Sequence, residues 1–135
     1  MDNILKNKGL LPTLIHPNAN VSPSANIGKG VYIHSGAYIW TKADIGDFTI
    51  ISPNTVIAHH TKVGRACLIS TLCAVGALIT IKDYVTFGIG TTVITGVRNI
   101  GVNVLSGGGT VIVKDVEDNS VIVGNPARKI RNNFI

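Results

Sequence analysis

Histidine and cysteine side chains are the groups in this chain that could carry acid–base, nucleophilic or metal chemistry. The 135 residues include four His and two Cys. His59 and His60 are adjacent, and the imidazole group, with an unperturbed pKa of about 6.5, suits general-base work near neutral pH. Cys67 and Cys73 are too few for a disulfide framework and lack the CxxC spacing of zinc and redox sites. An imidazole base is therefore the first chemical candidate.

A six-residue period determines where these side chains must lie. Every sixth residue from Ile15 to Val93 is large and apolar. These residues are Ile15, Val21, Ile27, Ile33, Ile39, Ile45, Ile51, Ile57, Val63, Ile69, Val75, Ile81, Phe87 and Val93. The register shifts by one residue before Ile100, and Ser106 breaks the apolar rule. A second column, four residues after the first, is mostly small or β-branched and includes both cysteines.

Two inward positions in every six residues fit neither a helix of 3.6 residues per turn nor a two-sided strand. They predict a chain that turns every six residues, so that three sides make a coil of 18 residues. Stacked coils of this kind pair as parallel strands, and hexapeptide repeats are typical of the parallel β-helix. Cys67 and Cys73 fall in the small inward column, which predicts buried thiols. Trp40 follows an inward Ile and should point outwards, where a subunit contact is favoured over a platform for an acceptor.

The 18-residue coil also places His16 and His34 on one face. Two stacked imidazoles could bind a metal, but the column offers no third ligand, so no metal site is predicted. Residues 15–114 are expected to form the β-helix, with 1–14 capping one end and 115–135 the other.

The composition narrows the classes of partner. Charged residues make up 14% of the chain, which is low for a soluble monomer and indicates a surface partly covered by other subunits. Three of the five net positive charges come from Arg128, Lys129 and Arg131, so a nucleic-acid footprint is not indicated. No apolar run reaches the roughly 18 residues of a membrane span, and no secretory signal is visible, so the expected compartment is the cytoplasm.

The chain resembles the hexapeptide-repeat acyltransferases, whose fold is the left-handed parallel β-helix. It is most similar to the sialic acid O-acetyltransferases and to the N-acetyltransferases of nucleotide-linked 4-amino sugars. The matching stretches are IHPNANVSPSANIGKG (15–30), IGDFTIISPNTVIAHHTKVG (45–64), FGIGTTVITGV (87–97), SGGGTVIVKDV (106–116) and VGNPARKI (123–130). Relatives usually carry an N-terminal nucleotide-sugar-binding domain, whereas here fourteen residues precede Ile15.

The resemblance implies a catalytic pair and an oxyanion donor. His59 is similar to the family's general base, which takes a proton from the acceptor as that atom attacks the acetyl thioester. His60 stands where relatives have Asp or Glu, so it is the second catalytic candidate. The family's oxyanion donor is a backbone N–H one coil above the base, which here falls at Ala77 beside Gly76.

The resemblance also implies positions that bind acetyl-CoA. Leu68 stands where many relatives carry a second His that meets the acetyl group. Ile89 and Gly107 match positions where relatives touch acetyl-CoA. Acetyl-CoA would be a co-substrate, with no permanently bound cofactor, and the basic tail could meet its phosphates.

The sequence therefore predicts acetyl transfer from acetyl-CoA to an amine or hydroxyl of a sugar, in particular a nucleotide-linked one, in surface-polysaccharide or glycan biosynthesis. The assembly expected from the resemblance is a homotrimer with active sites at the subunit boundaries. A non-catalytic β-helix, serving as a scaffold or binding module, is the alternative. A zinc hydratase of the γ-class carbonic anhydrase type, which uses this fold, is a third possibility.

Overall fold

The computed structural model describes residues 11–134, which form a stack of triangular coils built from short strands. In chain order these strands are β1 (Leu14–Ile15), β2 (Asn20–Val21), β3 (Asn26–Ile27), β4 (Tyr32–Ile33), β5 (Tyr38–Ile39), β6 (Asp44–Ile45), β7 (Ile50–Ile51), β8 (Val56–Ile57), β9 (Lys62–Val63), β10 (Leu68–Ile69), β11 (Ala74–Val75), β12 (Thr80–Ile81), β13 (Thr86–Phe87), β14 (Thr92–Val93), β15 (Asn99–Ile100), β16 (Leu105–Ser106), β17 (Val111–Ile112), β18 (Ser120–Val123) and β19 (Arg128–Asn132). None of the described residues forms a helix, so no helix among them could cross a membrane.

Every third strand belongs to the same sheet, and the three sheets are the sides of the triangle. Sheet A has the order β1-β4-β7-β10-β13-β16-β18-β19, sheet B runs from β2 to β17, and sheet C runs from β3 to β15. Partners within a sheet are parallel and 18 residues apart, as Leu14 is from Tyr32. The stack has about 6 turns, which confirms the predicted parallel β-helix. We name the corners AB, BC and CA after the sheets that they join.

The two predicted inward columns form the core. The large position, which is the second residue of each short strand, is at most 3% exposed from Ile33 to Ile112. Cys67 and Cys73 are buried in the small column, as predicted. Ser106 is buried despite breaking the apolar rule, because its hydroxyl lies 2.8 Å from the Thr91 hydroxyl.

Buried threonines in the small column hold the corners of the next coil. The Thr49 hydroxyl donates to the Gly64 carbonyl at 2.7 Å, and the Thr61 hydroxyl donates to the Gly76 carbonyl at 2.6 Å. The same two oxygens accept from the amides of Cys67 and Ile79 one coil above. A corner that lies between two strands cannot join a ladder, so these side chains satisfy polar groups that would otherwise be left without a partner.

The second residue of most corners has a positive φ, where a side chain other than glycine is strained. Ten such residues are not glycine, among them His60 with a φ of 59°. The left-handed region costs about 1–2 kcal/mol for an L-residue. Stacking on both sides holds these residues there, and the corners therefore lie directly above one another.

The regular stack changes towards its end. The chain gains one residue between Val93 and Ile100, in a turn where Gly96 has a φ of 110°. Sheet A continues past residue 114 into β18, and β19 folds back on it as an antiparallel strand. Residues 1–10 of the predicted N-terminal cap lie outside the described residues.

Candidate active site

His59 and His60 form the BC corner between β8 and β9. His59 is half-buried, whereas His60 is exposed. Their Nδ1 atoms are 2.9 Å apart, and the two rings are perpendicular. One of the two nitrogens must therefore be the donor and the other the acceptor. When the Nδ1–H of His59 donates to His60, the Nε2 of His59 keeps its lone pair and can accept a proton.

Neighbouring coils hold this corner from both sides. The His60 amide donates to the Thr41 carbonyl below at 3.1 Å, and the His59 carbonyl accepts from the Leu78 amide above at 3.2 Å. The Trp40 ring from the coil below stacks on the His59 ring, with centroids 6.2 Å apart and an angle of 27° between the planes. The imidazole is thus set between an aromatic ring and the corner of the coil above.

The predicted oxyanion donor lies one coil above His59, since Ala77 follows it by 18 residues. Ala77 is buried, and its amide donates to the Thr95 hydroxyl at 3.3 Å. A Cβ at Gly76 would lie 2.6 Å from both the amide nitrogen and the hydroxyl of Thr95, so a glycine is required for the coils to stack. Sequence reasoning missed Thr95, although its place 18 residues after Ala77 was a signal for contact.

The predicted acetyl-CoA positions lie on other parts of the triangle. Leu68 belongs to β10 in the middle of sheet A, where it is exposed. Ile89 and Gly107 lie one above the other at the AB corner, and the Ile89 side chain is 63% exposed. A single protomer therefore brings His59, Gly76 and Ala77 together at the BC corner, but it does not bring them to Ile89 and Gly107.

Two clefts accompany these corners. A small cleft of about 310 Å³ lies on sheet B beside Trp40 and is lined by Asn20, Ser22, Pro23, Tyr38, Ile39, Trp40 and Thr41. A larger cleft of about 740 Å³ lies at the C-terminal end of the stack, where Lys114 and Arg128 contribute to its wall. Lys129 of the basic tail also lines it, and its Nζ lies 2.7 Å from the Glu117 carboxylate.

The cysteines are poorly suited to nucleophilic catalysis. Burial raises the pKa of the Cys67 thiol to about 11 and also raises the pKa of Cys73. The reactive thiolate is therefore scarce at neutral pH. The Cys73 thiol instead lies 3.3 Å from the Gly88 carbonyl of the next coil, in the place where other coils use a threonine hydroxyl.

The other two histidines lie far along the coil from this pair. His16 Nδ1 accepts from the Asn18 amide at 3.0 Å, and His34 stacks on Tyr32. Within residues 11–134, His, Cys, Asp and Glu side chains form no group of three or more that could hold a metal ion.

Comparison with known proteins relates this geometry to enzymes. GDP-perosamine N-acetyltransferase from Caulobacter crescentus, in a complex with CoA and GDP-perosamine, matches with a TM-score of 0.88 and 32% identity, over 96% of this chain and 64% of that one. The acetyltransferase domain of PglB from Neisseria gonorrhoeae matches with a TM-score of 0.89 and 29% identity, over 96% of this chain and 62% of that one. No model of a known protein family matches the chain.

A sequence relative agrees over a shorter stretch. A Saccharomyces cerevisiae protein, provisionally described as an acetyltransferase, is 43% identical over 53 residues, which is 39% of this chain and 26% of that protein. The chain thus spans less than two thirds of the length of these relatives. In fold, and over nearly all of its own described length, it is similar to β-solenoid acetyltransferases, one of which acetylates a nucleotide-linked amino sugar.

Proposed function

We propose that this protein is an acyltransferase that moves an acetyl group from acetyl-CoA to the amine or hydroxyl of a nucleotide-linked sugar, in surface-polysaccharide or glycan biosynthesis. The observation that carries the proposal is the BC corner, where the Nδ1 of His59 meets the Nδ1 of His60 and leaves Nε2 able to accept a proton. The similarity to acetyltransferases that bind CoA supplies the reaction class.

The reaction follows as one direct transfer in a ternary complex. The acceptor nitrogen or oxygen attacks the thioester carbonyl carbon, and Nε2 of His59 takes the proton from the attacking atom. The carbon–sulfur bond then breaks, and coenzyme A leaves as the thiol with the proton returned by His59. The amide of Ala77, turned from the Thr95 hydroxyl, would donate to the oxyanion that forms in between.

His60 takes the part that a carboxylate usually plays beside such a base. Its neutral Nδ1 accepts the Nδ1–H of His59 and so selects the tautomer with a basic Nε2. Since its φ is 59°, informative substitutions must tolerate the left-handed region, as Asn and Gly do. We expect His60→Asn, whose amide oxygen can accept, to keep more activity than His60→Gly, which has no acceptor. Equal activity in the two variants would remove His60 from the mechanism.

The proposed assembly is a homotrimer in which the BC corner of one protomer faces the AB corner of the next. This arrangement joins the histidine pair to Ile89 and Gly107, which lie at different corners of one protomer. The outer side of sheet A offers an apolar stripe for such an association. Its exposed members are Leu14, Tyr32, Ile50 and Leu68.

The test of the base is acetyl transfer by His59→Ala to a panel of nucleotide-linked amino sugars. A general base contributes about 10²–10⁴ in rate, so the variant should lose at least about a hundredfold in kcat while still binding acetyl-CoA. His34→Ala removes an imidazole from another part of the coil and should leave the rate unchanged. Turnover of His59→Ala within a few-fold of the parent would exclude His59 as the base.

Coenzyme A binding separates this enzyme from the alternative of a scaffold. A ligand at 100 times its Kd stabilises the folded state by about 2.7 kcal/mol. We expect the unfolding temperature to rise with millimolar coenzyme A. An unchanged temperature would favour the non-catalytic β-helix.

A further inference from the structure

We propose that the cleft beside Trp40 binds the pyranose ring of the acceptor, with the indole as its stacking platform. This inference rests on the proposed function, because it assigns the acceptor subsite of the same reaction. Sequence reasoning favoured a subunit contact for Trp40, and two observations now favour the subsite: the place of the ring beside His59 and the character of the cleft.

The first observation is geometric. The Trp40 ring lies 6.2 Å from the His59 ring, with the two planes nearly parallel. Because Nδ1 of His59 is directed to His60, Nε2 lies on the other side of the imidazole. A ring stacked on Trp40 would lie next to that nitrogen, so that an amine or hydroxyl at its edge could reach the proposed base.

The second observation is the chemistry of the lining. The residues around the cleft carry no charge, so nothing there would neutralise a diphosphate. Trp40 and Tyr38 offer aromatic surface, with ring centroids 5.7 Å apart, for the apolar C–H face of a sugar. The side chains of Asn20, Ser22 and Thr41 offer an amide and two hydroxyls for the hydroxyls of the sugar.

The size of the cleft agrees with a single sugar ring. Its volume of about 310 Å³ is at the lower end of the roughly 300–1,000 Å³ of small-molecule sites. A whole nucleotide-linked sugar would exceed this space, so the nucleotide must extend beyond the cleft. The subsite would therefore select the sugar rather than the nucleotide.

Trp40 is the single tryptophan of the chain, so its fluorescence reports on this cleft without any need for turnover. We would titrate the intact protein with UDP-, GDP- and dTDP-linked amino sugars, with the three nucleoside diphosphates alone, and with coenzyme A. The expected result is a saturable change with a sugar-bearing ligand and none with its free diphosphate or with coenzyme A. Three outcomes would overturn the proposal: an equal change with a diphosphate alone, a change that depends on protein concentration alone, and no change with any ligand.

Kinetics of variants supply the second readout. Loss of an aromatic stack should raise the acceptor KM of Trp40→Ala about threefold to tenfold, with the KM for acetyl-CoA changed by less than about twofold. Trp40→Phe should keep most of the affinity. The matched control is Tyr84→Ala, since Tyr84 is an exposed aromatic residue at the CA corner and should not affect either KM. An unchanged acceptor KM in Trp40→Ala would overturn the subsite.

The two readouts fail in different ways. A protein that transfers no acetyl group, yet gives sugar-dependent fluorescence, would refute the proposed function and keep the subsite. An active enzyme whose Trp40 fluorescence and acceptor KM ignore the sugar would refute the subsite and keep the function.

Discussion

Thr61 offers a sharp test of how the stack positions the BC corner. Its buried hydroxyl donates to the Gly76 carbonyl at 2.6 Å and accepts from the Ile79 amide at 3.2 Å. These two groups flank the turn that carries Ala77 above His59. The substitution Thr61→Val keeps the shape of the side chain and leaves both backbone groups without this partner.

The magnitude follows from two lost hydrogen bonds. Each buried polar group left without a partner costs about 1–3 kcal/mol, so Thr61→Val should lower the free energy of unfolding by about 2–5 kcal/mol. Thr49 is a matched control, because it is also fully buried and makes the same two bonds, to the Gly64 carbonyl at 2.7 Å and the Cys67 amide at 3.1 Å. That turn lies at the CA corner, away from the histidines.

Urea unfolding of both variants, together with acetyl transfer at a temperature where both are folded, gives the answer. We expect Thr49→Val and Thr61→Val to lose similar stability, whereas only Thr61→Val should lose activity, by about tenfold or more, because small displacements of catalytic groups are costly. Equal activity in the two variants would show that the turn at Ala77 takes no part in the reaction. A Thr61→Val variant as stable as the parent would refute the role given to the buried hydroxyls.

Two further predictions concern stability. Burial raises the pKa of Cys67 from 9.0 to about 11, so between these pH values the folded protein keeps a proton that the unfolded chain loses, and the free energy of unfolding falls as the pH rises; Cys67→Ala should lack this part of the alkaline loss in urea unfolding at pH 8 and 10.5, and equal losses in variant and parent would contradict the assignment. The Lys129–Glu117 ion pair has side chains 37% and 71% exposed, so Glu117→Gln should change the unfolding free energy by less than about 1 kcal/mol, and a larger loss would mean that the pair anchors β19.

The fold could be predicted because its signal is carried by residue type alone. Two inward positions in every six residues specify the coil, and the burial of the large position from Ile33 to Ile112 confirms the period. The one-residue shift before Ile100 was also visible in the sequence, and the structure places the extra residue in the turn at Gly96. A period survives single exceptions such as Ser106, because many coils vote for the same register.

The details of the candidate site were less accessible, because they depend on side-chain rotamers between coils. The 18-residue coil predicted that Ala77 lies above His59, but not that its amide meets the Thr95 hydroxyl. The same holds for Trp40, which was expected on the outside but not stacked on the imidazole. His60 was known only as a missing carboxylate until its Nδ1 was found 2.9 Å from that of His59.

The separation of the two corners permits a direct test of a site shared between protomers. His59→Ala removes the proposed base at the BC corner, and Ile89→Arg blocks the AB corner at a side chain that is 63% exposed and can be changed without unfolding the core. Each variant alone should be inactive.

The decisive measurement is acetyl transfer by mixtures of these two variants after subunit exchange. In a symmetric ring, random exchange gives each boundary both intact corners in about one case in four, so the mixture should recover about a quarter of the parent activity. Recovery of that size is what a site with His59 from one protomer and the AB corner from its neighbour predicts. Mixtures that stay inactive after exchange has been demonstrated with differently tagged chains would contradict it.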